Sequence, residues 1–355
     1  MIPILYPSTE TVFDNNGLGR LYDCISCVVT EERNGIYECD FEYPVTGSHF
    51  NDILLGRIIG VEHDESNDIQ PFDIVSYSRP IDGVVTFHAV HVSYRLSKMV
   101  VIDSSINSLA DAFEAFEDAL PSMPFTFDSD KTSSGYVSCF DGTPMSVKSC
   151  LGGVEGSILD AYGGEYEFDK FIVHLWERRG IDRTMSIRYG LNLTQYDEET
   201  DYSDAYNSCV GYWKGQENNA DVTVVTDLVT ASLTSYNNRD EAMPIDLTDK
   251  FESKPSKADL TTAAESYLVA NQTNLPTQNI NVDFVNLKDT LEYADYAQLW
   301  QCHLCDTVNV VFPKYGMNGR FKVVKTVYDV LQERFTSMEL GSLALTLSEA
   351  LGLGG

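Results

Sequence analysis

The sequence predicts an α+β chain dominated by antiparallel β-structure. Short runs of period-two hydrophobicity punctuated by turn residues fill residues 20–100, and the pattern returns over about 165–235 and 306–341. Isolated stretches of helical spacing lie between these blocks. With 355 residues, 43% of them hydrophobic and 11% aromatic, the chain can bury about two to four cores.

Five strands are predicted in the first block: Asp23–Glu31, Gly35–Tyr43, Leu54–Glu62, Asp73–Ser78 and Val84–Tyr94. Asn34-Gly35, Pro44 to Gly47, the charged loop His63–Asp68 and Pro80 to Gly83 separate them, a spacing that suits a barrel or a sandwich. From Ser105 the apolar positions Ile106, Leu109, Phe113, Phe116 and Leu120 fall at helical spacing, and Pro121 ends the run. Short strands at 125–130 and 136–140 precede a second helical pattern near 146–161, which Gly152, Gly153 and Gly156 weaken. The segment from Gly164 to Leu193 reads as two strands, one carrying Phe168, Phe171, Val173 and Leu175 and one carrying Met185, Ile187 and Tyr189, joined by the basic turn Arg178-Arg179-Gly180. Pro244 to Pro255 reads as linker, Lys257 to Ala270 as a helix with Leu260, Ala264, Tyr267 and Leu268 inward, and Ile280 to Val285 as a strand. These look like an insertion that splits one β domain. Leu343 to Gly355 reads as a fraying terminus or a linker.

Fifty-four acidic residues against 24 basic ones give a formal charge of −30, which argues against binding nucleic acid or anionic membranes by attraction. Such acidity suits a solvated surface, or the wall of a passage through which DNA slides without being trapped by lysine and arginine. No basic residue precedes Arg20, so no signal peptide is expected, and Val222–Val229 is too short and too polar to span a bilayer. A protein folded in the cytoplasm fits both features.

The candidate chemical motifs are weak. Cys24-x-x-Cys27 and Cys302-x-x-Cys305 have the spacing of zinc clips, but on an alternating strand positions three apart face opposite ways, and buried reduced thiols are the expectation. The same reasoning separates His88 from His91. Cys302-His303-x-x-Asp306 invites a nucleophile-and-base reading, yet adjacent residues rarely form such a pair. The acidic run Asp197, Glu198, Glu199, Asp201 and Asp204 lacks calcium-loop spacing and reads as a solvated loop. Asn192-Leu193-Thr194 and Asn271-Gln272-Thr273 match a glycosylation sequon without a secretory context. Gly17-x-Gly19 lacks the third glycine of a dinucleotide loop. The 20 tyrosines suit strands, sugar stacking or a protein interface. No catalytic, cofactor-binding or metal-binding residue is assigned, and no cofactor is expected.

The wording of the Gly164–Leu193 segment resembles the prophage tail endopeptidase family, the hub proteins at siphophage tail tips. Asn16-Gly17-Leu18-Gly19-x-Leu21, Val29-Thr30-Glu31-Glu32-x-Asn34-Gly35-x-Tyr37 and Ala89-x-His91-Val92-Ser93-Tyr94-x-Leu96 are similar to its amino-terminal motifs. Asn281 to Val285 with Leu287, Leu304 to Val310 and Val324 to Asp329 are similar to its closing strands, with Cys305 where relatives often carry glycine before Asp-Thr-Val, a change expected to alter a turn.

The resemblance implies two tail-tube-like antiparallel β-barrels, each with a smaller α/β domain: residues 1–100 as the first barrel, 101–165 as its α/β neighbour, 166–240 and 300–345 as the second barrel, 241–299 as the inserted α/β domain, and 346–355 as a tail or linker. It also implies a baseplate hub, a homotrimeric ring that closes or adapts the tail tube and lets DNA pass without specific binding. The family's name implies endopeptidase activity, but the residues show no catalytic constellation, so a structural hub and not an enzyme is expected. Its implied partners are the distal tail protein, the tape-measure protein and receptor-binding tail components, with no stable membrane association. The implied location is the virion tail tip, after assembly in the host cytoplasm. The competing readings are a peptidoglycan-degrading tail endopeptidase and a carbohydrate-binding adhesin of the cell wall.

Overall fold

The computed structural model describes residues 1–342 apart from positions 65, 67, 82, 103–105, 107, 120–121, 133–142, 155, 218–219, 231–238, 252, 272 and 285–301. The chain opens with β1 (Ile4–Tyr6), β2 (Gly19–Arg20), β3 (Ser26–Glu32), β4 (Tyr37–Pro44), β5 (Ile58–Glu62), β6 (Ile69–Ser78) and β7 (Val84–His91). These pair antiparallel in the order β3-β4-β7-β6-β5-β1-β2. Alternation explains the register: Tyr37, Cys39, Phe41 and Tyr43 of β4 are buried, while Glu38, Asp40 and Glu42 lie on the other face. β7 alternates likewise, so His88 reaches Asp40 on the outer face, at 2.8 Å, and His91 lies in the core. The strand expected to reach Tyr94 stops at His91, where Val92–Lys98 turns into a 3-10 helix.

β1 and β5 are buried on both faces. Leu5, Ile59 and Val61 join the first core, whereas Ile4, Tyr6 and Ile58 join a second core built by the next segment. That segment comprises β8 (Val100–Val101), α1 (Leu109–Ala119), β9 (Thr126–Ser129), β10 (Met145–Ser146), α2 (Val147–Leu151), α3 (Ile158–Tyr162), β11 (Glu165–Asp169) and β12 (Ile172–Trp176). The helix expected over 146–161 is therefore two short helices, capped by Ser146 and Ser157, with the glycines between them. The strand expected at 136–140 and the helix end at Leu120 lie outside the described residues.

The predicted strand through Phe168 and Leu175 is itself a hairpin. β11 and β12 pair antiparallel with Phe168 opposite Val173, and Lys170 turns the chain at φ 54°. Phe168 and Phe171 are three residues apart, which breaks period two at the point where the chain reverses. β9 adds parallel to β12, so residues 165–176 pair within the α/β segment and not with the second β block.

Beyond the basic turn come β13 (Asp182–Arg188), β14 (Leu193–Asp201), β15 (Ser208–Glu217), β16 (Ala220–Val225), β17 (Val229–Thr230), β18 (Ala242–Asp246), α4 (Lys257–Asn271), β19 (Thr277–Phe284), β20 (Thr307–Phe312), β21 (Met317–Asp329) and β22 (Arg334–Ser342). β15 to β18 form a separate sheet covered by α4 through Leu260, Ala264 and Leu268. Gly211 permits this approach, since a Cβ there would lie 3.1 Å from that of Ala264. Strands expected in the second barrel thus pack with the helix expected in the insertion, and β19 returns to pair with β14 and β22. Period-two alternation identifies a strand without naming its neighbour. The acidic run expected as a loop lies mostly on β14, at the edge of the large sheet. Three pairings, β9 with β12, β13 with β20 and β15 with β18, are parallel, each between strands joined by a long connection.

The two β blocks are one sheet. β21 is 13 residues long, pairing with β22 along most of its length and with β20 over Met317–Lys322. From Lys325 to Asp329 it pairs instead with β3. The register shifts between Val323 and Lys325, and the extra residue flips the parity of the buried positions. Phe321 and Val323 face the core of the second block, whereas Tyr328 and Val330 face that of the first. Val324 at the shift accepts the Arg33 N–H at 2.8 Å.

His91 tests the first core. Its Nδ1 accepts the Ser93 N–H at 3.3 Å, its ring stacks on Tyr37 with centroids 4.4 Å apart, and its Nε2 has no hydrogen-bond partner. Burial holds its pKa well below 6.5, so the folded protein keeps it neutral while the unfolded chain takes up a proton. Stability attributable to this residue is present above pH 6.5 and is lost as pH falls below that value, at up to about 1.4 kcal/mol per pH unit. Urea unfolding at a series of pH values is expected to show this slope, and His91→Phe to remove that part of it.

Candidate functional site

The chain crosses from the α/β segment to β13 through Arg178-Arg179-Gly180, and ionic contacts from three directions converge there. Arg179 is nearly buried, and its Nη1 donates to Glu31 of β3 at 2.8 Å and to the Tyr166 carbonyl at 3.3 Å. Burial works against its charge, but Glu31 and Glu167 outweigh that and hold its pKa above the ordinary value. Arg183, at the start of β13, donates through Nε to Asp306 at 2.6 Å and approaches His303 Nδ1 at 3.0 Å. Asp306 also accepts the backbone N–H groups of Ile181 and His303, both at 2.9 Å.

Glu165 completes the junction. It accepts the Arg179 N–H at 2.9 Å, pairs with Arg33 at 2.9 Å and receives the Lys322 ammonium. Burial would raise its pKa, yet these three donors hold it below the usual carboxylate range. Gly180 sits against the turn before β20, where a Cβ would lie 2.0 Å from the Cys305 carbonyl oxygen. Cys305 itself adopts φ 69°, a left-handed conformation that glycine adopts without strain.

A cleft of about 420 Å³ opens beside this junction, lined by His63, Asp64, Glu167, Arg179, His303 and Asp306 among others. The Nδ1 of His63 is buried without a hydrogen-bond partner. The neighbouring Ser66 hydroxyl accepts the Asp68 N–H at 3.3 Å. Of the two thiols nearest the cleft, Cys302 is buried and burial pushes the Cys305 thiol up to about 12, so neither is an activated nucleophile. The geometry is that of a structural clamp.

The sequence motifs do not converge on a reaction. Cys302 faces the second β core, while His303 and Asp306 are taken up by Arg183 and backbone donors. Cys24 precedes β3 and donates to the Ser26 carbonyl at 3.2 Å, and Cys27 faces Cys39 with sulfurs 3.7 Å apart. These thiols belong to the first core, away from the core that holds Cys302 and Cys305. Among the described residues no group of three or more His, Cys, Asp or Glu side chains is placed to hold a metal ion. Asn192 accepts the Arg188 N–H at 2.8 Å, and Asn271 donates to the Tyr267 carbonyl at 2.9 Å. The sequence marks Arg178-Arg179-Gly180 as a turn but carries no sign of its partners. Glu31 lies 148 residues from Arg179, and nothing local to either signals the pair.

Residues 181–351 match the prophage endopeptidase tail family, just under half of the chain. This stretch is similar to that family. The match begins at the residue after Gly180, and the amino-terminal motifs at 16–37 and 89–96 lie outside it. The fold extends the likeness to nearly the whole chain. It is similar to prophage tail protein gp18 from Listeria monocytogenes EGD-e, with a TM-score of 0.65 at 14% identity over 99% of this chain and 98% of that one. The tail protein from Neisseria meningitidis MC58 gives 0.62 at 12% identity, covering 98% of both chains. The 43 kDa tail protein of prophage MuSo2 from Shewanella oneidensis gives 0.62 at 11% identity, over 96% of this chain and 97% of that one. Comparison with curated proteins finds no match. The prophage tail resemblance read from the residues is therefore borne out, as is a β-dominated fold shared with tail proteins.

The clamp makes two predictions for urea unfolding. Gly180→Ala is expected to destabilise by about 3 kcal/mol, since its Cβ would meet backbone and not a flexible side chain. Glu31→Gln leaves Arg179 buried without its main counter-charge and is expected to cost about 3 kcal/mol, most of it recovered in the Glu31→Gln/Arg179→Met double variant.

Proposed function

We propose that this protein is a structural hub of the phage tail tip, not an enzyme. Three copies form a ring in which each chain supplies two barrel-like β units, so that six such units continue the tail tube while the tip becomes three-fold. The observation that supports this most is the partner exchange along β21, which joins two β blocks side by side in one sheet within one chain. A ring wall needs that lateral continuity, and ring closure would cover strand edges such as β2 and β14.

The α/β segment up to about residue 177 and the small sheet with α4 act as outward companions of the two β units. The net charge of −30 suits a conduit that DNA crosses without being held. In this reading the ring sits at the virion tail tip and meets the distal tail protein, the tape-measure protein and receptor-binding components. It has no stable membrane association, and among the described residues no helix is long and apolar enough to cross a membrane.

The family description favours a second reading, an endopeptidase, which at a tail tip would act on peptidoglycan. Its sequence candidates Cys302 and His91 are buried in separate β cores, which supports the structural reading instead. Light scattering of the full chain is expected to give a trimer, and a cell-wall zymogram to give no clearing. A monomer at every concentration would count against the hub. Clearing abolished by Cys302→Ala or His91→Phe would establish the enzyme.

A further inference from the structure

Lys148 stands apart from the ionic networks described above. It lies on α2, and its Nζ rests 4.7 Å from the Phe168 ring centroid and 5.5 Å from that of Tyr94. Among the described residues no carboxylate pairs with it and no acceptor takes its protons. Aromatic faces attract the charge but cannot accept all three N–H donors of an ammonium in good geometry. Burial alone lowers its pKa, with no counter-charge opposing the shift.

The ammonium borders a pocket of about 120 Å³, lined by Asn34, Leu151, Gly152, Gly153, Tyr166 and Phe168 among others. The other polar groups there are satisfied. Asn34 donates to the Gly164 carbonyl at 3.0 Å and accepts the Tyr166 N–H at 2.8 Å, and the Tyr166 hydroxyl donates to the Leu151 carbonyl at 2.9 Å. A Cβ built at Gly153 meets nothing within 4 Å, so that part of the rim is open. The pocket is thus a small, partly apolar recess with one unpaired cation and no competing free donor among its described lining groups.

We propose that this recess receives the carboxylate of an acidic side chain from a partner protein. The volume selects the ligand. At roughly 30 Å³ per water the recess holds a carboxylate and one or two methylenes, well below the roughly 300 Å³ at which small-molecule sites begin. A carboxylate also suits this cation: in a desolvated site an added charge-assisted hydrogen bond is stronger than at the surface, and the incoming anion restores what burial removed from the ammonium. The recess therefore acts as half of an ion pair, completed when a glutamate or aspartate tip enters. This assignment does not depend on the ring, since any acidic partner segment would satisfy it.

The test uses the full-length protein with its lysine amines observed by NMR. Propionate and capped acetyl-glutamate-amide are each expected to shift the Lys148 Nζ resonance saturably at millimolar concentration, and to raise its titration midpoint by about one unit, tenfold in proton affinity. Propionamide, the neutral isostere, is expected to do neither, and Lys148→Met to abolish the response while leaving other lysines unchanged. The wild-type comparison of propionate with propionamide stands even if that variant folds poorly. Equal shifts with propionate and propionamide, or no saturable shift with propionate, would overturn the site. A response to propionate but not to capped glutamate would overturn the side-chain assignment in favour of a free small anion.

Discussion

The exchange of partners along β21 is the constraint on which the rest of the molecule depends. One strand cannot keep a single hydrophobic parity and still serve two cores, so the chain inserts a residue near Val324 and resumes on the opposite phase. The first half of β21 sends Phe321 and Val323 into the core of the second block, and the second half sends Tyr328, followed by Val330 just past its end, into the core begun by residues near the amino terminus. Because β3 and β21 are almost 300 residues apart in sequence, this pairing is non-local and forms at a large cost in loop entropy. Everything between them must be organised before, or together with, that contact.

The Arg179 junction supplies that organisation. Its guanidinium takes Glu31 from β3, the neighbouring Glu165 takes Lys322 from β21, and Arg33 reaches Glu165 from the end of β3. These are the two strands that join the blocks, held from the side by the segment that links the α/β unit to β13. Buried ion pairs add little net stability but penalise wrong registers strongly, since a slipped strand would strand a charge. Gly180 and the left-handed Cys305 bring the two backbones close enough for Asp306 to bind the Ile181 N–H.

Much of the local structure was legible because side-chain period is a local property. Tyr37 to Tyr43, the opposed His88 and His91, and the inward Leu260 and Ala264 of α4 follow from spacing alone. The hairpin at Lys170 was hidden by reading Phe168 to Leu175 as one strand, although the three-residue step between the phenylalanines marks the reversal. The acidic residues of β14 looked like a loop because their composition is polar, whereas an edge strand tolerates charge on its exposed positions. Strand neighbours are not legible: Val222 to Val229 reads as β-structure with any partner, and its place is set by pairing with β15 and by α4 packing over Gly211. The junction was invisible for the same reason, since charge pairing across 148 residues leaves no periodic trace.

In the proposed function the molecule works as a section of wall, its ion pairs spent on holding two β units in register. Electron cryomicroscopy of tail tips containing this chain tests that directly. The account predicts three copies around the tube axis, with the continuous β3–β21 sheet facing the lumen. A chain lying outside the tube, or a sheet facing away from the axis, would contradict it.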